Sequence, residues 1–275
     1  MNAYTAKKEI SSAKAIVCDD MLLTTDMPTT AGSKMLDGYM SLLEAEAITR
    51  LKAAGYELSG KADVGEFAID LLGETSSRGA LARDGIIKNA SAEIVKSGDA
   101  IAAICLDVNG SVRRAAAQSG LVSLKATYGT VSRYGTVPVA CSGETVSILA
   151  NGTDTCREIL DVIAGHDDKD GTSLPDDLCS KLKSGAEYAP IRRVAVVSSF
   201  TGNIDDGVKA KLDAATYENI DTVISELKTE INSATCVSSL IRKVEPAEDA
   251  AVCSLGYAYE QWGISMKIYD PEAAE

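Results

Sequence analysis

Two short apolar runs, at residues 13–17 and 100–106, are each cut off by acidic residues, Asp19-Asp20 after the first and Asp107 after the second. Runs this short, ended so sharply, read as buried strands with polar ends, the places where chemistry collects. Between them, residues 42–54 carry Leu43, Ala47, Leu51 and Ala54 at helical spacing and stop at Gly55. Tyr56-Glu57-Leu58-Ser59-Gly60 then offers a further strand. Strand, helix and strand in this order predict an α/β layer.

Downstream, a helix is predicted from Thr153 to Ala164, with Ile159, Leu160 and Ile163 on its apolar side and Gly165 at its end. Residues 193–197 are a strand candidate. The tail reads as mainly helical over 205–240, where Leu212, Ile220, Ile224, Leu227 and Ile231 repeat at a period near 3.6, and again over 246–261. The polar stretch 176–190 marks a soft boundary. The expected organisation is an α/β core over 1–190 with a strand and mainly helical tail, 191–275, packed on it.

Several words of the sequence resemble the amidase-signature enzymes. Asp107-Val108-Asn109-Gly110-Ser111-Val112-Arg113 is similar to that family's serine-nucleophile turn, Asp-Thr-Gly-Gly-Ser-Ile-Arg. Leu124-Lys125-Ala126-Thr127-Tyr128-Gly129 and Val131-Ser132-Arg133-Tyr134-Gly135 continue the match. The run from Ile163 through His166 to Ser173 resembles Ile-Ala-Gly-His-Asp-Pro-Lys-Asp-Ser-Thr-Ser of the A subunit of glutamyl-tRNA(Gln) amidotransferase. The resemblance covers roughly residues 13–190. It implies a truncated amidase-signature fold, a mixed central sheet flanked by helices, with a helical C-terminal tail.

In that family a neutral lysine draws a proton, through a bridging serine, from the nucleophilic serine. Carried onto this chain, the nucleophile position is Ser111, the lysine position is Cys18 and the bridging serine position is Ile87. A thiol is shorter than a lysine side chain and acidic where the lysine is basic, and an isoleucine relays nothing. Of the family's glycine-serine loop only Ser91 survives. A serine hydroxyl without a base is a weak nucleophile at neutral pH, and losing positioned acid-base help lowers rates by about 10² to 10⁴. Backbone amides of Val108, Asn109 and Gly110 remain candidate oxyanion donors, since Asn tolerates positive φ better than most replacements for glycine.

Structural roles compete with chemistry at each retained residue. Ser111 before Val112-Arg113-Arg114-Ala115 is a good helix N-cap. Arg113 is expected to pair with an inner carboxylate, and His166, the only histidine, to serve as a cap or loop residue. Asp167, Asp168 and Asp170 lack the spacing of a calcium loop and read as a solvated loop, so no metal is expected. No phosphate-binding glycine loop occurs, and no cofactor is expected.

Forty acidic against 27 basic residues give a net charge of -13, which repels a phosphate backbone. The pairs Arg113-Arg114 and Arg192-Arg193 are too small for a nucleic-acid stripe. Seven widely spaced cysteines without a C-x-x-C pair predict reduced thiols rather than disulfides or zinc. No apolar run reaches the roughly 18 residues that span a bilayer, and the expected location is cytoplasmic. An incomplete sheet would leave an apolar edge for another chain to cover, so a protein partner or homo-oligomer is expected, with no direct nucleic-acid or membrane contact. Together these predict a catalytically degenerate amidase-like protein with a binding, scaffold or assembly role. The alternatives are an active amidohydrolase or amidotransferase subunit in which a non-standard base serves Ser111, a thiol nucleophile at Cys18, and an amidotransferase component contributing surface alone.

Overall fold

Both acid-ended apolar runs are central strands in the computed structural model, which describes residues 3–10, 12–70, 74–79, 89–183, 195–196, 206–207 and 218–219. In chain order the first unit, Met1–Ala186, contains β1 (Tyr4–Lys7), β2 (Ala15–Asp19), α1 (Glu46–Ala53), β3 (Glu57–Ala62), α2 (Ala90–Ser97) and β4 (Ala102–Asp107). It continues with α3 (Ser111–Ser119), β5 (Val122–Lys125), β6 (Thr145–Ala150), α4 (Thr153–Ile163) and α5 (Asp176–Lys183). Six strands form one mixed sheet in the order β1-β3-β2-β4-β6-β5. Strand β2 runs parallel to β3 and β4, whereas β1, β6 and β5 join antiparallel. Every residue of β2 and β4 is buried, which explains why these strands read as continuous apolar runs rather than alternating ones.

Pleat alternation divides the core into two layers. Ile16, Cys18, Ile104 and Leu106 face α1 and α4, packing with Ile48, Leu51, Ile159 and Ile163. Val17, Ala103 and Cys105 face α2 and α3, packing with Ile94, Val95, Val112 and Ala115. Successive residues of one strand therefore belong to opposite sides of the sheet.

Some expectations need correction. The helix predicted over 42–54 begins at Glu46, and Leu42 and Leu43 precede it, 94% and 48% exposed. Tertiary hydrogen bonds set that start: Ala45 N donates to Leu23 O at 2.9 Å and Glu46 N to Tyr134 O at 3.0 Å, which dock the chain before a helix can form. The close approach requires Gly135, at φ 79°, where a Cβ would lie 2.5 Å from Ala45 Cα.

Strands β1, β5 and β6 and helices α2 and α5 were not expected, α5 falling in the polar stretch 176–190 that reads as a boundary in the sequence. Strand β6 carries Thr145 and Ser147 in a fully buried position, and Ser147 Oγ donates to Leu124 O at 2.9 Å. Thr145 Oγ1 is buried without a hydrogen-bond partner among the described residues, so only Ser147 is satisfied, and two polar residues hide this core strand from a hydrophobicity reading. Helix α2 is made mostly of small residues but has regular ends: Asn89 Oδ1 accepts from Ala92 N at 2.9 Å, and Gly98 adopts a left-handed φ of 82°.

The second unit, Glu187–Glu275, is described only by a parallel pair, β7 (Ala195–Val196) with β8 (Glu218–Asn219). The strand predicted over 193–197 is seen there as β7. Of the helix predicted over 205–240 only residues 206–207, helical, and Glu218–Asn219 are described, and the latter pair is strand β8 because it bonds to β7 instead of continuing a helix; the helix predicted over 246–261 lies outside the described residues. Among the described residues, no helix is long and apolar enough to cross a membrane.

Candidate functional site

The turn that leads to Ser111 is closed by the aspartate at its head. Asp107 is fully buried at the end of β4, and its carboxylate accepts from Gly110 N at 2.7 Å. Arg113 reaches back from the first turn of α3, Nε to Oδ2 at 2.9 Å and Nη2 to Oδ1 at 3.4 Å, giving the expected inner ion pair. Gly110, at φ 92°, supplies the left-handed conformation that swings the chain into the helix.

Ser111 is the first helical residue and not the cap. Gly110 holds the N-cap position without a side-chain cap, so the expected capping role of Ser111 is not realised. A left-handed glycine turns the chain one residue earlier than a serine cap would. The hydroxyl of Ser111 is half-buried and makes no hydrogen bond among the described residues, while its amide donates to Asn109 Oδ1 at 3.3 Å.

Of the three expected oxyanion donors, one has an internal partner. The Gly110 amide is engaged by Asp107. Val108 is buried, and Asn109 is exposed without the positive φ expected of it, its side-chain amide donating to Ile69 O at 3.4 Å.

Cys18 stands away from this turn. Its side chain faces α1 and α4, across the sheet from α3, and burial pushes its thiol up to about 12. A thiol raised this far is in its protonated form at neutral pH, the less nucleophilic one. The residue that does point toward the α2 and α3 layer is its neighbour, Asp19. Asp19 is 3% exposed, its Oδ1 accepts from Ser91 Oγ, and its Oδ2 accepts from Leu106 N at 3.3 Å. Burial pushes this carboxyl up to about 6, against the lowering effect of those hydrogen bonds. Ile87 lies outside the described residues. Ser91, the one survivor of the expected loop, sits in the first turn of α2 with its hydroxyl committed to Asp19. The sequence does not single out Asp19 as a site residue; pleat alternation, which sends neighbours Cys18 and Asp19 to opposite faces of the sheet, is the signal that separates them.

A second buried polar cluster was also missed. Lys61 of β3, paired in register with Cys18, is fully buried, donates to Thr29 Oγ1 and lies 3.3 Å from Asp20 Oδ1. Asp20 Oδ2 accepts from Thr30 N at 3.0 Å and from Thr30 Oγ1. Asp20 Oδ1 has the ion pair but no aligned hydrogen bond, so charge rather than directional bonding holds it. Nearby, Asp63 accepts from Ser76 Oγ at 2.9 and 3.0 Å, and burial raises its carboxyl above the ordinary range.

The aspartates after His166 are not a solvated loop, except at Asp168. Asp167 accepts from Ser132 Oγ at 2.6 Å, and Asp170 accepts from Arg133 N at 2.8 Å and Thr172 N at 2.9 Å. They brace this loop against the Val131–Gly135 word, a long-range role that local polarity conceals. His166 keeps the expected loop role, Nδ1 against Leu174 O at 2.9 Å and Nε2 against Asp168 Oδ1 at 3.0 Å, contacts that raise its pKa. Among the described residues no group of three or more His, Cys, Asp or Glu could hold a metal ion.

Comparison with known proteins agrees with the mixed sheet and its flanking helices. The family model described as Amidase matches residues 16–83 and 90–256. The A subunit of glutamyl-tRNA(Gln) amidotransferase from Anaeromyxobacter dehalogenans is 36% identical over 225 residues, covering 77% of this chain and 45% of that protein. Its counterpart from Mycobacterium ulcerans is 36% identical over 256 residues, covering 85% and 50%. The chain thus spans about half the length of the curated relatives it matches. Among solved structures, the same amidotransferase's A subunit from Thermotoga maritima superposes with a TM-score of 0.61 at 25% identity, over 79% of this chain and 54% of that one. An amidase family protein from Bacillus anthracis shares the fold, with a TM-score of 0.60 at 21% identity, over 74% and 46%.

Proposed function

This chain belongs to the amidase family, and from that premise we propose that it is a catalytically degenerate member that works by binding or assembly rather than by hydrolysis. The observation that carries this reading is the isolation of the Ser111 hydroxyl. Among the described residues no proton acceptor is hydrogen-bonded to it, Cys18 lies across the sheet, and Asp19 is already held by Ser91 and Leu106. An unassisted serine hydroxyl attacks amides poorly at neutral pH.

Support for an assembly role comes from the surface and from relatives. Met35 and Leu42 are 82% and 94% exposed, with Met40 and Leu43 also uncovered, in one stretch of chain. Exposed apolar residues grouped in this way mark interaction sites. Relatives are named as subunits, and a structure at 24% identity with a TM-score of 0.63 is described as part of a vestigial protein complex. The five cysteines described are all free, in keeping with a reducing compartment such as the cytoplasm.

The test is a steady-state assay of the full chain over a panel of primary and secondary amides, with Ser111→Ala alongside. Background-level rates that are equal for both proteins are the expected outcome. Turnover that disappears with Ser111→Ala would overturn the reading. It would favour the second one, an active amidohydrolase or amidotransferase component with a non-standard base, for which the Asp19–Ser91 pair on the α3 side of the sheet is the supporting observation.

A further inference from the structure

The Ser111 turn is tied to a neighbouring loop by one amine. Lys125, at the end of β5, donates from Nζ to Gly143 O at 2.8 Å and to Val108 O at 3.4 Å. Val108 opens the turn that leads to Ser111. Gly143 closes the loop at residues 139–144, in which Glu144 accepts from Val139 N at 2.8 Å and Ala140 N at 2.9 Å and pairs with Arg133 at 2.7 Å. Two loops that are each braced internally thus meet on a single side chain.

The surroundings make this amine titratable. Burial holds Lys125 below the ordinary lysine range, Arg113 of α3 adds to that lowering, and Asp107 of β4 opposes it. Arg157 and Asp161 of α4 line, with Lys125, a cavity of about 460 Å³ beside β5. A protonated amine makes charge-assisted hydrogen bonds about twice as strong as a neutral one.

We propose that Lys125 is the positioning residue of the Ser111 turn, holding Val108 and Gly143 together in its ammonium form and slackening that hold when it loses its proton. The inference rests on the reading of Ser111 as a serine with no base of its own, and it extends that reading by naming the group that holds its turn. Lys125 acts here through the backbone.

The test uses a fluorophosphonate probe on the full chain, with the adduct located by mass spectrometry and Ser111→Ala as the site control. In that reaction the serine oxygen forms a bond to phosphorus, fluoride leaves with the bonding electrons, and the hydroxyl proton passes to the buffer. Labelling rates are measured from neutral pH to about 10.5, the ordinary lysine range, for wild type, Lys125→Arg and Lys125→Met. Lys125→Arg keeps the donors and does not titrate in this range. The expected result is that Lys125→Met labels about fivefold more slowly than wild type near neutral pH, the effect of losing one modest hydrogen-bonding contribution. Wild type should follow Lys125→Arg at neutral pH and approach Lys125→Met above an inflection that both variants lack. An inflection that persists in either variant overturns the proposal, and so does a wild-type profile without one or the absence of any Ser111 adduct. Amide turnover is a separate readout, so failure of the binding reading and failure of this one are distinguishable.

Discussion

Replacing Asp19 by asparagine should flatten the pH dependence of stability above pH 5, by an amount that follows from burial. The carboxyl is held at about 6 in the folded chain against an ordinary 3.8. A difference of about two units corresponds to roughly 3 kcal/mol between the fully protonated and fully ionised limits. The sign follows from proton counts. With its folded pKa raised, Asp19 binds more protons in the native state, so its contribution is fully present below about pH 4 and is lost as pH rises through about 6. About 1.4 kcal/mol of that loss falls between pH 5 and pH 7.5. Asp63, also raised by burial, adds in the same direction, and Asp26, Glu46 and Asp170 are lowered and act at more acid pH. The comparison with Asp19→Asn removes these shared terms, together with the self-repulsion of a chain of net charge -13. Urea unfolding at several pH values provides the assay. The absolute stability of the variant also reflects an amide nitrogen set against the Leu106 N–H, so the informative quantity is the difference in slope. Parallel curves for the two proteins between pH 5 and 7.5 would refute the burial argument.

Other changes test the turn and the sheet faces. Gly110→Ala should destabilise the fold by about 1–2 kcal/mol, because φ 92° is unfavourable for an L side chain and a Cβ would lie 3.3 Å from Arg113 Nη2; chemical denaturation measures it. Arg113→Met leaves the buried Asp107 carboxylate without its cation. The loss for a buried pair is roughly 3–5 kcal/mol, reduced here toward about 1–3 because the arginine is 37% exposed, and the same unfolding curves read it. Under native conditions iodoacetamide should modify the exposed Cys141 and spare Cys18, Cys105 and Cys156, with peptide mapping as the readout. Rapid modification of native Cys18 would contradict its placement in the α1 and α4 layer.

Much of the architecture was legible in the order of residues alone. The acid-ended runs, the helix and strand between them, the helix at Thr153–Ile163 and the serine turn all depend on local pattern, and each is found. The inner partner of Arg113 was also foreseeable, because a carboxylate six residues away in the same turn is a local arrangement. By contrast β6 was hidden by its buried Thr145 and Ser147; the Ser147 hydroxyl suits the core only because β5 is there to receive it.

Local pattern by itself determined strands β2, β3 and β4, helices α1 and α4 and where the turn at Ser111 falls, since hydrophobic period, glycine and acidic breaks act over a few residues. Only the tertiary structure decided which side chains share a face. A shift of one position along a strand sends a side chain to the other side of the sheet, and that is the difference between Cys18 among the α1 and α4 residues and Asp19 bonded to Ser91. Tertiary structure likewise brought Lys125 to Val108 and Gly143, and Asp170 to Arg133, across 17 to 37 residues of chain. Contacts of that range arise from packing, and the local chemistry of a sequence does not name its distant partner.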